Sequence, residues 1–206
     1  MPQVSLAELV DVAQRGAGLI SFPTDTVPAL ASRPDAAGLI YAAKQRSETK
    51  PLILMGGNVE DLWNFVADDE VAKAHWQASA DRCFPGAVTL VLPASDRLPR
   101  AMNPSNPTTI GIRVPNHALA RHLLTQTGPL ATTSVNRSGQ PALQSLEEIN
   151  AQFPEVFTLS TEALRELGRS LSVSPSYPGS GVPSTVVQWT NPGWTVLRQG
   201  SVRFEL

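Results

Sequence analysis

Residues 109–139 read TIGIRVPNHALARHLLTQTGPLATTSVNRSG, and three elements are legible in them. Thr109 to Val114 is strand-like, apolar and β-branched. Asn116 is placed to cap a helix from His117 to Gln126, and Gly128-Pro129 breaks that helix. Leu130 to Thr133 is a second strand, which runs straight into hydroxyl and amide side chains up to Gly139. A strand, a helix and a strand in succession point to an α/β chain.

The same alternation extends in both directions. Ser5-Leu6-Ala7-Glu8 is a capping box that opens a helix, and Gly16 and Gly18 close it. Gly18 to Phe22 is a short apolar strand ended by Pro23, and Asp35 to Ala43 has a helical apolar face. Pro51 to Met55 suits a buried strand. Asn58 can cap a helix carrying Leu62, Trp63 and Val66, and a further helix spans Glu70 to Arg82. After the Phe84-Pro85-Gly86 turn, Ala87 to Leu92 reads as a strand, and Pro93 to Pro107 as a surface loop. Ser145 to Glu148 is a second capping box. Ser170 to Pro183 is rich in Ser, Gly and Pro and reads as flexible. Ser184 to Trp189 and Trp194 to Arg198 form a hairpin around Asn191-Pro192-Gly193. There is no regular βαβ metre, internal repeat or linker. The expected fold is therefore one α/β domain over residues 1–206, with a twisted mixed sheet and flanking helices.

Composition narrows the function. Of 206 residues, 42% are hydrophobic and 17% charged, which excludes a charge-driven disordered chain. Sixteen basic against 18 acidic residues give a net charge of −2, so any polyanion site must be a local cluster. A single cysteine, Cys83, excludes an intramolecular disulfide and a multi-cysteine zinc site. No apolar run approaches the ~18 residues of a membrane span, and Glu8 and Asp11 interrupt the N-terminus before a signal sequence could form. The expectation is a soluble cytoplasmic protein.

Candidate chemistry sits in a few places. Lys44, Arg46 and Lys50 could converge on a polyphosphate if the helix ends near Ala43, because residues two apart share a side only in extended chain. A basic helix C-terminus answering the helix dipole accounts for the same run. Thr24-Asp25-Thr26 and Thr132 to Gly139 each follow a strand, where open α/β sheets bind ligands. Ordinary turn chemistry accounts for either stretch taken alone. Arg113 and Arg198 each close an apolar strand, as a ligand-binding or a salt-bridged arginine would. There is no P-loop and no HExxH, and Cys83 has only Arg82 as a basic neighbour.

Taken in order, these segments resemble the YrdC-like threonylcarbamoyl-AMP synthases. The resemblance rests on Phe22 to Val27, on Lys44-Gln45-Arg46 with Lys50-Pro51-Leu52, and on Phe84-Pro85-Gly86. It continues through Thr109 to Arg113 with Pro115 and His117, Ser134-Val135-Asn136 with Ser138 to Pro141, Pro183 to Val187, and Leu197-Arg198. It implies a concave, locally basic cavity and a reaction that joins ATP, as its Mg²⁺ complex, with L-threonine and bicarbonate and releases pyrophosphate. It assigns the triphosphate to Lys44 and Arg46, the nucleotide also to Lys50, Thr109, Thr132, Ser134, Asn136 and Arg198, and threonine to Thr24, Arg113 and Ser184. A tRNA threonylcarbamoyl transferase would consume the product. Direct binding of tRNA or double-stranded RNA by the same concavity is the alternative activity, and a paralogue using another acceptor is a second one. The family usually reads Thr-Val-Tyr-Gly-Leu-Gly where this chain has Thr26-Val27-Pro28-Ala29-Leu30-Ala31, and often has His where Met55 stands. The nucleotide side is thus kept, and the threonine side altered.

Overall fold

A computed structural model describes residues 2–173 and 179–205. Its strands are β1 (Gln3–Val4), β2 (Ile20–Phe22), β3 (Ala29–Ser32), β4 (Ile53–Met55), β5 (Val88–Pro93), β6 (Thr109–Arg113), β7 (Leu130–Ser134), β8 (Phe157–Leu159), β9 (Thr185–Trp189) and β10 (Trp194–Arg198). They form one mixed sheet in the order β1-β8-β2-β3-β7-β4-β6-β5-β9-β10. Parallel pairs (β1 with β8, β2 with β8, β4 with β6, β5 with β9) are interleaved with antiparallel ones, as the irregular alternation predicts. The helices are α1 (Leu6–Arg15), α2 (Gly38–Lys44), α3 (Glu60–Trp63), α4 (Glu70–Cys83), α5 (Ala118–Thr127), α6 (Leu146–Gln152) and α7 (Thr161–Ser170).

The caps behave as their chemistry requires. Ser5 and Glu8 bond reciprocally at the start of α1, as do Ser145 and Glu148 at α6, and Gly16 ends α1 at φ 63°. At α5 the cap is one residue later than expected. His117 Nδ1, not Asn116, accepts from Ala120 N at 3.4 Å. The strand β3 and the β8–α7 pair were not legible. β3 is built from Ala29, Leu30, Ala31 and Ser32, which lack β-branching, yet it is buried between β2 and β7. β8 is only three residues long, and its pairing with β1 and β2 is non-local.

The pleat sorts this sheet into two unlike faces. Leu54, Leu90, Ile110, Ile112, Ala131 and Val187 point to one side and join a core with α2, α3, α4 and α6. On the other side, Ile20, Phe22, Ala29 and Leu159 pack against α1, α5 and α7. That second layer lies over the β8–β2–β3 half. Over the β7–β4–β6–β5–β9 half, the same face becomes the floor of a cavity.

Candidate functional site

The cavity measures about 400 Å³, within the range of small-molecule sites. Its floor is a set of residues two apart on neighbouring strands: Ile53 and Met55, Thr89 and Val91, Thr109, Gly111 and Arg113, and Thr132 and Ser134. The site therefore lies across a sheet face, not at the strand ends that the loop motifs suggested. Gly111 deepens this floor. A Cβ there would lie 3.1 Å from the Thr89 methyl carbon.

Arg113 closes β6, is 3% exposed, and has its charge matched within the fold. Its Nη2 donates to Asp25 Oδ1 at 2.6 Å, Nη1 to Thr26 Oγ1 at 2.8 Å, and Nε to the Gly86 carbonyl at 3.0 Å. Burial pushes the guanidinium pKa down, Asp25 opposes that, and nearby Arg198 adds to it. Arg46 lies along the next wall, where Nε and Nη2 donate to the carbonyls of Lys50 and Pro51 at 3.2 and 3.1 Å. Burial lowers its pKa too, with Tyr41 opposing and Arg198 contributing. Arg198 ends β10 and donates from Nη2 to the Ser184 carbonyl at 2.9 Å; burial lowers its pKa as well. Three guanidiniums thus share one cavity, and Asp25 is the one carboxylate in an ion pair with any of them among the described residues. This is the local basic cluster that a chain of net charge −2 needs to hold a polyanion.

Of the residues singled out in the sequence, Arg46, Lys50, Thr109, Arg113, Thr132, Ser134, Ser184 and Arg198 line this one cavity. Their hydroxyls are positioned by neighbours. Thr132 Oγ1 donates to Ile53 O at 3.0 Å, Ser134 Oγ to Asn136 Oδ1 at 2.6 Å, and Ser184 and Thr89 share a bond of 2.9 Å. Thr26, from the Thr24-Asp25-Thr26 stretch, lines it as well, and so do Thr89 and Asn103, which escaped the sequence reading. Parity was the available signal for Thr89, which stands two before Val91 within a strand already read.

Lys44, Asn136 and Thr24 stand behind the wall. Lys44 is the last residue of α2, and Gln45 turns the chain through φ 51° so that Arg46 reaches the cavity alone. The Lys44 amine is 1% exposed and donates to the Ser134 carbonyl, to Asn136 O at 2.6 Å and to Asn136 Oδ1 at 3.0 Å. Asn136 Nδ2 is itself committed to the carbonyls of Arg137 and Gln140. The expected side-by-side grip of Lys44 and Arg46 is therefore replaced by a division. Arg46 faces the cavity, while Lys44 fastens the turn that presents Ser134. Burial, helped by the charge of Arg46, lowers the Lys44 pKa to about 7. Thr24 is 1% exposed, donates to Val27 O at 2.7 Å and accepts from Thr26 N, so it shapes the loop that carries Asp25 and Thr26.

Met55 and Ala29 do lie on the wall, and Met55 is the register partner of Arg113. Pro28 is buried behind it, its carbonyl accepting from Val135 N at 3.1 Å, so it forms no part of a ligand wall. Within the flexible stretch read at 170–183, residues 174–178 lie outside the described residues. The part after them is fastened, since Ser180 N and Gly181 N donate to the carbonyls of Asp25 and Thr26 at 3.0 and 2.9 Å. Gly179 permits this contact, because a Cβ there would lie 2.4 Å from the Thr24 carbonyl oxygen. Among the described residues there is no cluster of three His, Cys, Asp or Glu able to hold a metal ion, and no helix long and apolar enough to cross a membrane. Burial raises the Cys83 thiol pKa.

A model of the Sua5/YciO/YrdC family, described as telomere recombination, matches residues 12–200. The threonylcarbamoyl-AMP synthase of Bos taurus is 33% identical over 194 residues, covering 90% of this chain and 64% of that protein. The enzyme of the same name from Chromohalobacter salexigens is 33% identical over 173 residues, covering 82% of this chain and 90% of its own length. The chain thus spans somewhat under two thirds of its mammalian relatives, and most of a bacterial one. Among solved structures, P. abyssi Sua5 complexed with L-threonine superposes with a TM-score of 0.77 at 27% identity, over 96% of this chain and 55% of that one. E. coli YciO superposes with a TM-score of 0.73 at 24% identity, over 97% and 92% of the two chains, which speaks to the fold alone.

Proposed function

Because this chain belongs to the Sua5/YciO/YrdC family, we propose that it makes threonylcarbamoyl-AMP from ATP, L-threonine and bicarbonate and releases pyrophosphate. The observation that carries this reading is the cluster of Arg46, Arg113 and Arg198 around one cavity with a single paired carboxylate. Arg113 and Arg198 end strands β6 and β10, and Arg46 follows α2. The triphosphate is assigned to the side of Arg46, Lys50 and Arg198, next to the Ser134 turn. The amino acid is assigned to the side of Arg113, Thr26, Met55 and Ser184.

The chemistry asks little of the protein beyond placement and charge. The neutral threonine amine condenses with bicarbonate, forming the N–C bond of a carbamate. One water is released, made from a bicarbonate oxygen and its proton together with one amine proton. A carbamate oxygen then bonds to the α-phosphorus, and the bond from that phosphorus to the bridging oxygen breaks to release pyrophosphate. The attacking oxygen already bears charge, so no strong general base is needed, and Arg46 and Arg198 would stabilise the charge growing on the leaving group. Mg²⁺ would arrive with ATP and further neutralise that group. Asp25 is engaged with Arg113, so the ion would take its ligands mainly from phosphate oxygens and water. The product would pass to a tRNA-modifying transferase.

The test is incubation with ATP, Mg²⁺, bicarbonate and single L-amino acids. Pyrophosphate release and the mass of any adenylate are the readouts. Threonine should give release and the threonylcarbamoyl-AMP mass, whereas release with a different amino acid alone would establish a paralogue with another acceptor. The altered wall adds a second expectation. Met55 beside Arg113 offers no hydrogen bond, and one such bond is worth about 0.5–1.5 kcal/mol, up to roughly ten-fold in affinity. Met55→His should tighten threonine by about that factor in calorimetric titration and leave ATP nearly unchanged. Pro28→Tyr should not, since Pro28 is off the cavity wall.

A further inference from the structure

Asn103 is an amide on the cavity wall for which neither the turn chemistry nor the charge cluster has a use. It follows a 3₁₀ turn over Arg100–Met102 and is 4% exposed. Its backbone is fixed on both sides, with Asn103 N donating to Arg100 O at 3.3 Å and Asn106 N donating to Asn103 O at 3.2 Å. The preceding carbonyl, that of Met102, accepts from Leu52 N at 3.1 Å and from the Tyr41 hydroxyl at 3.2 Å. The side chain is fixed too. Nδ2 donates to Thr109 O at 3.3 Å, which settles which end of the amide is nitrogen. The other end, Oδ1, accepts no hydrogen bond among the described residues, in a residue that lines the cavity. A rigid acceptor that opens onto the cavity without a protein donor is met by water, and a ligand that displaces that water must bring a donor of its own to avoid leaving the oxygen unpaired.

Position identifies which part of the ligand. Asn103 is bonded to Thr109, at the start of β6, while Arg113 is at its end. Four residues of strand separate them by about 13 Å. Around Asn103 the wall is apolar, with Pro51, Leu52 and Ile53, and Arg46 is bonded to the Lys50 and Pro51 carbonyls beside it. An apolar slot with one directed acceptor suits a nucleobase edge, next to cations that suit phosphates.

We infer that Asn103 reads the base of the nucleotide, with Oδ1 accepting from an exocyclic amino group, so that the site selects adenine over a purine with oxygen at that position. The inference rests on the nucleotide reading above. Guanine and hypoxanthine present a carbonyl there, which would set two acceptors against each other. The free N–H of Asn103 can in addition donate to a ring nitrogen, the paired pattern in which an asparagine recognises adenine.

Calorimetric titration with ATP, inosine triphosphate and base-free tripolyphosphate tests this in the whole protein. Wild type should bind ATP at least ten-fold more tightly than inosine triphosphate. Asn103→Ala should bring the two within about two-fold of each other while tripolyphosphate binding stays unchanged. Purine riboside triphosphate, which lacks the amino group, gives a second measurement that needs no variant. It should bind wild type more weakly than ATP but less weakly than inosine triphosphate, whose carbonyl also opposes Oδ1. Equal binding of ATP and inosine triphosphate by wild type, or an ATP preference kept in full by a folded Asn103→Ala, overturns the inference. Either result leaves the synthase reading standing if threonine-dependent pyrophosphate release is present. Failure of wild type to bind any nucleotide overturns both.

Discussion

Asp25→Ala should destabilise the protein by about 3–5 kcal/mol, the cost of stranding a buried charge. Arg113 is 3% exposed, and Asp25 is its one ionic partner among the described residues, at 2.6 Å. The Thr26 hydroxyl and the Gly86 carbonyl remain as acceptors in the variant, but neither carries charge. Equilibrium denaturation in urea measures the loss. The double variant Asp25→Ala with Arg113→Met separates the pair from its function. A buried ion pair replaced by apolar groups is often neutral in stability, so the double variant should recover most of the loss. It should still bind threonine far more weakly than wild type, with ATP little affected, because the cation we assign to the amino-acid carboxylate is gone. Threonine should also raise the melting temperature of Asp25→Ala by more than that of wild type, since its carboxylate can take the place Asp25 leaves. A loss below about 1 kcal/mol in the single variant would mean that the guanidinium is solvated through the cavity, and that Asp25 is not its counter-ion.

How much of this was legible depended on whether the signal was local. The two capping boxes, the Asn191-Pro192-Gly193 hairpin and the helix over Glu70–Cys83 are written in consecutive residues, and they stand where the sequence put them. β3 is not local. Ala29 to Ser32 have no strand propensity of their own and are extended because β2 and β7 flank them. The site divides in the same way. Arg113 and Arg198 could be singled out because a charge at the end of an apolar strand is visible in one dimension. Which side of the cavity wall a residue occupies is a tertiary fact. Lys44 and Arg46 are two residues apart, and only the left-handed turn at Gln45 decides that one faces the cavity and the other the Ser134–Asn136 turn. Asn103 carried no signal at all in a loop full of turn formers. The Thr89 hydroxyl of the floor was hidden by its strand, where it reads simply as a good β residue.

Arg46 and Lys44 should fail differently, and that contrast tests the division between them. Arg46→Ala removes a guanidinium from the cavity wall, with bonds only to carbonyls near the surface. It should weaken ATP and slow pyrophosphate release by ten-fold or more, and leave stability within about 0.5 kcal/mol. Lys44→Met should cost both. The carbonyls of Ser134 and Asn136 lose their donor, at about 1–3 kcal/mol for each buried acceptor left unpaired. A net loss near 2 kcal/mol would lower the melting temperature by roughly 4–8 °C for a chain of this size. ATP would weaken through the loosened Ser134 turn. The pH dependence identifies the amine. Its pKa is lowered from 10.5 to about 7 by burial and then by Arg46. Between those values the unfolded chain holds the extra proton, so this group's stabilisation rises with pH from 7 towards 10.5 and is lost as pH falls to 7. The neutral amine still has two N–H groups for the two carbonyls, and Asn136 Oδ1 keeps the Ser134 hydroxyl. The melting-temperature gap between wild type and Lys44→Met should therefore widen from pH 7 to pH 9.5, while the gap for Arg46→Ala should change far less, only by the smaller share of the Lys44 shift that the Arg46 charge causes. A Lys44→Met gap that does not change with pH would mean that the lysine stays charged throughout, held as an ammonium by its three oxygens.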